Sequence, residues 1–200
     1  MVKTAVLVSG GGTNLQALLD AQTAGALPHA NLCLVVASRP EAYALTRAKT
    51  AGVDTAVISR RDFLSADAYD CALLSILRTH GIELVVLAGF LSILGPGLVG
   101  AYPQRILNVH PSLIPSFCGA GFYGLKVHEA VLAKGVKVTG ATVHFVNEVP
   151  DGGQILLQKA VEVLADDTPE TLQKRVMQQA EWELLPRAVA MVSEKIDSAR

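Results

Sequence analysis

Short apolar runs that alternate with glycine-punctuated helical stretches constrain this chain more than any other feature. Residues 4–8, 32–37, 54–58 and Leu84–Leu87, with a fifth run near 106–109, are short and nearly continuously apolar. Strands buried on both faces of a sheet read this way, whereas strands with one wet face alternate. Between them the spacing predicts helices over 15–24, 41–51 and 66–79, the last apolar at Leu73, Leu74 and Leu77, and Gly25, Gly52 and Gly81 stand where each should stop. A β-α-β-α alternation predicts parallel strands joined by right-handed crossovers, with helices on both faces.

The second half reads differently. Residues 116–124 form a glycine-rich loop, and a short helix is expected over 126–133. Strands over 139–145 and 154–161, joined by 147–153, predict a hairpin-like, antiparallel extension of the sheet. Thr168-Pro169 is a good helix start, an N-cap followed by proline at the first position. The helix that follows should bend or break near Pro186. The expected architecture is a three-layer α/β fold, Rossmann-like and mostly parallel, with an antiparallel C-terminal extension. No repeat or linker divides it, so residues 1–200 are expected to form one domain, with phosphate binding in the N-terminal half and a second ligand in the C-terminal half.

Half of the 200 residues are hydrophobic, few are aromatic, and the net charge is −1. That balance suits a Val/Ile/Leu core and offers no footprint for bulk nucleic-acid binding. The N-terminal apolar run is too short for a signal segment or a membrane span. The three cysteines, Cys33, Cys71 and Cys118, match no zinc or redox spacing, so a reduced, cytoplasmic protein is expected. Cys118 sits in the glycine-rich loop, where an incidental thiol is favoured over a nucleophile, because a nucleophile needs a base and a lowered pKa.

Three stretches carry chemistry. In Ile106-Leu107-Asn108-Val109-His110-Pro111, strand alternation puts Asn108 and His110 on one side, and Pro111 ends the pairing. An amide and an imidazole then stand together at a strand end, where α/β sheets bind ligands. Gly10-Gly11-Gly12-Thr13-Asn14 lies between the first strand and the first helix, so outward-facing amides and the helix N-terminus make an anion site. No Gly-Lys-Ser/Thr follows, and Leu15 occupies the third glycine position of a dinucleotide fingerprint, which favours a monophosphate. A plain tight turn is the competing reading. Asp151-Gly152-Gly153 is the third stretch. Alone it is a turn signal, but its place between two strands can bring the carboxylate to the sheet end of His110. Of the other histidines, His29 and His80 fall in connections, His128 starts a helix, and His144 reads as a satisfied core residue. No histidine pair or acidic cluster has metal-site spacing.

Taken together, Asn108-x-His110-Pro111-Ser112-Leu113-Ile114-Pro115, Gly140-Ala141-Thr142-Val143-His144-Phe145-Val146 and Asp151-x-Gly153 resemble the phosphoribosylglycinamide formyltransferases of purine synthesis. Val8-Ser9-Gly10-x-Gly12-Thr13-Asn14-Leu15 and Leu87-Ala88-Gly89-Phe90-Leu91 fit the same family, in order along the whole chain. The resemblance implies direct transfer of a formyl group from 10-formyltetrahydrofolate to the amine of glycinamide ribonucleotide, with no metal. It implies a catalytic set of Asn108, His110 and Asp151, and a phosphate site of Gly12, Thr13 and Asn14. It implies further substrate contacts from Gly89, Pro111, Gln178 and Glu181, and a folate pocket of Leu91, Ser92, Ile93 and Leu94 with Asn108 and Asp151. Only small-molecule partners are implied, with no nucleic acid or membrane, in a monomer or homodimer.

The chain departs from the family pattern in places. Ser92 follows Leu91 where a basic residue is common, Ala66 replaces an arginine on the folate side, and Gly153-Gln154 replaces Gly-Pro. Residues 116–124 are longer than in some members. These departures bear on folate affinity more than on chemistry. Rival readings are a formyltetrahydrofolate hydrolase, expected to carry an N-terminal regulatory domain, and a methionyl-tRNA formyltransferase, expected to carry a C-terminal RNA-binding domain. A non-catalytic phosphosugar- or folate-binding module is a third, disfavoured because all three proposed catalytic residues are present.

Overall fold

A computed structural model describes all 200 residues, Met1–Arg200. Seven strands form one sheet: β1 Val2–Val8, β2 Ala30–Ala37, β3 Asp54–Val57, β4 Leu84–Leu87, β5 Ile106–His110, β6 Val138–Phe145 and β7 Ile155–Glu162. Their order is β3-β2-β1-β4-β5-β6-β7. The first five are parallel, and β6 and β7 are antiparallel additions, as the hairpin pattern predicts. The helices are α1 Thr13–Thr23, α2 Ala44–Thr50, α3 Ala66–Thr79, α4 Pro96–Ala101, α5 Leu125–Lys134, α6 Pro169–Val176 and α7 Trp182–Ser198.

The sheet separates two cores. One face of β1 and β2 (Val6, Val8, Val35) packs with Leu15, Leu18, Leu184, Leu185 and Val189 from α1 and α7. The opposite face (Ala5, Leu7, Leu34, Val36) packs with Tyr69, Leu73, Leu77 and Leu98 from α3 and α4. Both faces of β1, β2 and β4 are therefore largely dry, which is why their sequences read as apolar runs, whereas the edge strand β3 is partly exposed.

Three differences from the sequence expectations have physical causes. The helix expected over 41–51 begins only at Ala44, because Pro40 and the turn around it occupy the preceding residues. The short helix α4 escapes a periodicity test: it holds six residues, two of them glycine. Asp70 holds it from outside, accepting from the N–H groups of Gly95 (2.8 Å) and Leu98 (3.0 Å). The C-terminal helix is interrupted at a π turn, Met177–Glu181, and not at Pro186, which lies inside α7. Proline has no N–H to return to the carbonyl four residues back. Pro186 is the fifth residue of α7, so its missing N–H concerns only the carbonyl of Trp182, the first residue of the helix.

The strand order reverses between β1 and β4, the switch point where open α/β sheets bind ligands beyond their carboxyl ends. The Gly10–Asn14 and Gly89–Leu94 loops leave from those two strand ends, and His110 ends β5 beside them.

Candidate active site

Alternation along β5 and antiparallel register with β6 assemble a polar cluster. Asn108 pairs directly with His144, and His110 with Thr142. The Asn108 Nδ2 group lies 3.1 Å from His144 Nε2 and 3.5 Å from Asp151 Oδ1. His110 Nδ1 lies 3.5 Å from Asp151 Oδ2, and His144 Nε2 lies 3.6 Å from Asp151 Oδ1. The three residues expected from the sequence to meet do meet, and His144 joins them. A single strand read by itself makes His144 a core residue; only the register with Asn108 shows its surroundings.

Hydrogen bonding constrains the rings. His144 Nδ1 lies 2.8 Å from the Phe145 carbonyl oxygen and so carries a proton, leaving Nε2 to accept from Asn108 when the ring is neutral. His110 Nε2 lies 2.9 Å from the Phe117 carbonyl oxygen and must donate there. Its other nitrogen faces Asp151, so an imidazolium satisfies both acceptors and a neutral ring only one. Burial opposes ionisation of Asp151. The neighbouring His144 ring, the Gly119 N–H at 2.8 Å and the His110 ring outweigh it and hold the carboxyl below its usual range.

The Asp151 connection depends on its glycines. Asp151 itself has φ +55°, a left-handed conformation that aspartate tolerates better than most residues. A Cβ on Gly153 would lie 1.7 Å from the Phe145 carbonyl oxygen, so only glycine lets the chain pass this close to β6. The loop 116–124 closes the other side through Phe117 and Gly119. Cys118 in that loop has its thiol pKa raised by burial and by Asp151, the opposite of an activated nucleophile.

Next to this cluster is a cavity of about 240 Å³ lined by Gly12, Thr13, Asn14, Gly89, Leu91, Pro111 and Glu181 among others. Gly12 caps α1 at φ +72°, and a Cβ there would lie 2.6 Å from Ala44 Cβ. No side chain caps the first turn of α1, so its N–H groups are free for an anion. Asn14 donates to Glu181 Oε2 at 2.6 Å. Glu181 is buried, which pushes its carboxyl pKa up to about 7 despite that bond. The π turn brings both Met177 and Glu181 to this cavity. Gln178 is exposed and does not line it; Gln173 and Met177 stand there instead, because helical phase turns residue 178 outward. His128, expected to be a cap or a structural residue, is fully buried in the cavity wall with neither ring nitrogen hydrogen-bonded. Burial, with a smaller contribution from His110, pushes its pKa down to about 4. In the segment expected to hold folate, Leu91 and Ile93 are exposed, Ser92 is half-buried, and Leu94 packs on the α3-side core.

Residues 2–189 match the formyl transferase family. The chain belongs to that family. This formyl transferase is 40% identical over 194 residues to the chloroplastic phosphoribosylglycinamide formyltransferase of Arabidopsis thaliana, an alignment covering 96% of this chain and 66% of that protein. It is 43% identical to part of the trifunctional purine biosynthetic protein adenosine-3 of Gallus gallus, covering 96% of this chain and 18% of that protein. The chain thus spans less than two thirds of the length of these relatives. Among solved structures, glycinamide ribonucleotide transformylase 1 from Symbiobacterium toebii superposes with a TM-score of 0.91 at 42% identity, covering 98% of this chain and 89% of that one.

Proposed function

We propose that this formyl transferase moves the formyl group of 10-formyltetrahydrofolate to the amine of glycinamide ribonucleotide, a step of purine synthesis. The observation that carries the reading is the meeting of Asn108, His110 and Asp151 beside a glycine-loop anion cavity. The relatives, a phosphoribosylglycinamide formyltransferase and a glycinamide ribonucleotide transformylase, support the same substrates over a hydrolase or a binding module. Residues 1–200 act as one domain, with the ribonucleotide phosphate at Gly12, Thr13 and Asn14 and the folate along residues 91–94. Glu181 and Pro111 contact the rest of the ribonucleotide. Cys33, Cys71 and Cys118 are free thiols, which fits action in the reducing cytoplasm. No helix is long and apolar enough to cross a membrane.

In this mechanism the neutral amine attacks the formyl carbon and the carbonyl oxygen becomes an oxyanion. The second Asn108 N–H is held by Asp151 only at 3.5 Å, near the limit of a hydrogen bond, so little is lost in turning it to the oxyanion. His110 offers the same oxygen the Nδ1 that faces Asp151 at 3.5 Å, while its Nε2–H stays on the Phe117 carbonyl oxygen. The proton lost by the attacking nitrogen is passed to the departing folate nitrogen as the intermediate collapses, with Asp151 orienting the ring. Asn108, His110 and Asp151 are the catalytic residues of this reading. The test mixes the protein with both substrates and follows folate absorbance. Formyl loss that requires glycinamide ribonucleotide supports the reading, and formate release without it points to a hydrolase.

A further inference from the structure

One buried residue ties together the two segments that hold the proposed substrates. Ser9 follows β1, opens the glycine loop and is 2% exposed. Its N–H donates to the Gly89 carbonyl oxygen at 3.1 Å. Its Oγ accepts from the Leu91 N–H at 2.9 Å and from the Ser38 hydroxyl at 2.7 Å. Its carbonyl oxygen accepts from Arg39 Nε. Every polar group of Ser9 is thus engaged, and the bonds to Gly89 and Leu91 cross to the segment that leaves β4. Residues 88–95 form neither helix nor strand, and Gly89 turns at φ +70°. Asp70 pins the far end of that segment through the Gly95 and Leu98 N–H groups, and Ser9 pins the near end. Leu91 and Ile93 stand exposed between the two pins. On the other side of Ser9, the Gly10 carbonyl oxygen accepts from the Ala44 N–H at 3.2 Å and that of Gly11 from Arg47 Nε at 2.9 Å. With these carbonyls tied back to α2, the glycine loop keeps its shape for an anion.

Transfer between two bound molecules depends on the gap between nucleophile and electrophile, and a misplacement of about 1 Å costs roughly 100-fold in rate. In the reading above, the ribonucleotide is held at Gly12, Thr13 and Asn14 and the folate along residues 91–94. A direct link between those two holds runs from Gly12 back along the loop to Ser9, and through its hydroxyl to the Leu91 N–H. Resting on that reading, we propose that Ser9 is a positioning residue for formyl transfer: acting through Leu91, its hydroxyl sets the folate segment against the glycine loop so that amine and formyl carbon meet. A serine with a structural role alone behaves differently. Its loss lowers stability and leaves the turnover of the folded enzyme unchanged.

The test measures kcat, the KM for each substrate and thermal unfolding in the wild type, Ser9→Ala and Ser38→Ala. Ser9→Ala leaves the Leu91 N–H without its acceptor, and its kcat should fall on the order of 10–100-fold, with KM for glycinamide ribonucleotide within about threefold of wild type. Ser38→Ala removes the neighbouring hydroxyl but keeps the bond from Leu91 to Ser9, so its kcat should stay within about threefold. A second measurement needs no variant: hydrogen exchange of the Leu91 amide in the wild type, with and without saturating inorganic phosphate. Phosphate fits the glycine loop and is too small to reach Leu91, so slower exchange reports the link through Ser9; coupling of ordinary size slows it by about fivefold or more. A folded Ser9→Ala enzyme with kcat within about twofold of wild type would overturn this inference alone. So would an equal loss of kcat in Ser38→Ala, or Leu91 exchange that phosphate leaves unchanged. Absence of ribonucleotide-dependent transfer in the wild type would overturn the proposed function and this inference with it.

Discussion

Substituting alanine for Gly153 perturbs the proposed chemistry without touching any reacting group. A Cβ there would lie 1.7 Å from the Phe145 carbonyl oxygen, which is backbone of β6 and held by the sheet. Carbon–oxygen contacts settle near about 3.3 Å, so the connection must retreat by roughly 1.6 Å. Asp151 lies two residues away, held by the Gly119 N–H at 2.8 Å and facing His110 at 3.5 Å. Neither geometry survives a shift of that size. Misplacement on the order of 1 Å costs roughly 100-fold in rate, so kcat for formyl transfer should fall by about that factor. Overpacking costs about 1–3 kcal/mol, a loss that should leave the protein folded at assay temperature. The Gly100→Ala variant is the control: a Cβ there meets nothing within 4 Å. The assay is kcat and KM for each substrate, alongside thermal unfolding of each variant. A folded Gly153→Ala enzyme with kcat within about twofold of wild type would refute the claim that this close approach positions Asp151 for catalysis.

The buried Glu181 makes a pH prediction. Its folded pKa, about 7, lies above the ordinary 4.5, so the native state holds a proton that the unfolded chain releases between those values. Stability should therefore fall as pH rises from about 4.5 to about 7, by about 3 kcal/mol from this group, and Glu181→Gln should remove that decline in urea unfolding at pH 5 and pH 8. Cys118→Ser should retain turnover within about threefold, since the thiol pKa is raised and its hydrogen bond to the Pro115 carbonyl oxygen can be made by a hydroxyl; kinetics with both substrates decide it. Gly12→Ala, with a Cβ 2.6 Å from Ala44 Cβ and φ +72°, should raise KM for glycinamide ribonucleotide while leaving KM for folate near wild type, measured by the same assay.

Local rules carried much of this reading, and their reach explains what they missed. Continuous apolar runs identify β1, β2 and β4 because both faces of those strands are buried. Alternation alone puts Asn108 and His110 on one side of β5. Asp151 was a turn signal until its connection was folded back against β6. His144 needed the register of two strands 36 residues apart, which no single segment encodes. The phase of the C-terminal helix also escaped: the π turn sends Met177 and Glu181 to the cavity and Gln178 to solvent, although all three lie within five residues. The pairing of the 116–124 loop with the site through Phe117 and Gly119 uses backbone groups, which side-chain chemistry in a sequence does not display.

The central claim is that the Asn108–His110–Asp151 cluster carries out formyl transfer. Turnover of a folded His110→Ala protein, with glycinamide ribonucleotide and 10-formyltetrahydrofolate both saturating, tests it most directly. The predicted result is a kcat lower by on the order of 100–1000-fold with a cooperative thermal transition retained. Near wild-type turnover in a folded His110→Ala protein would contradict the account.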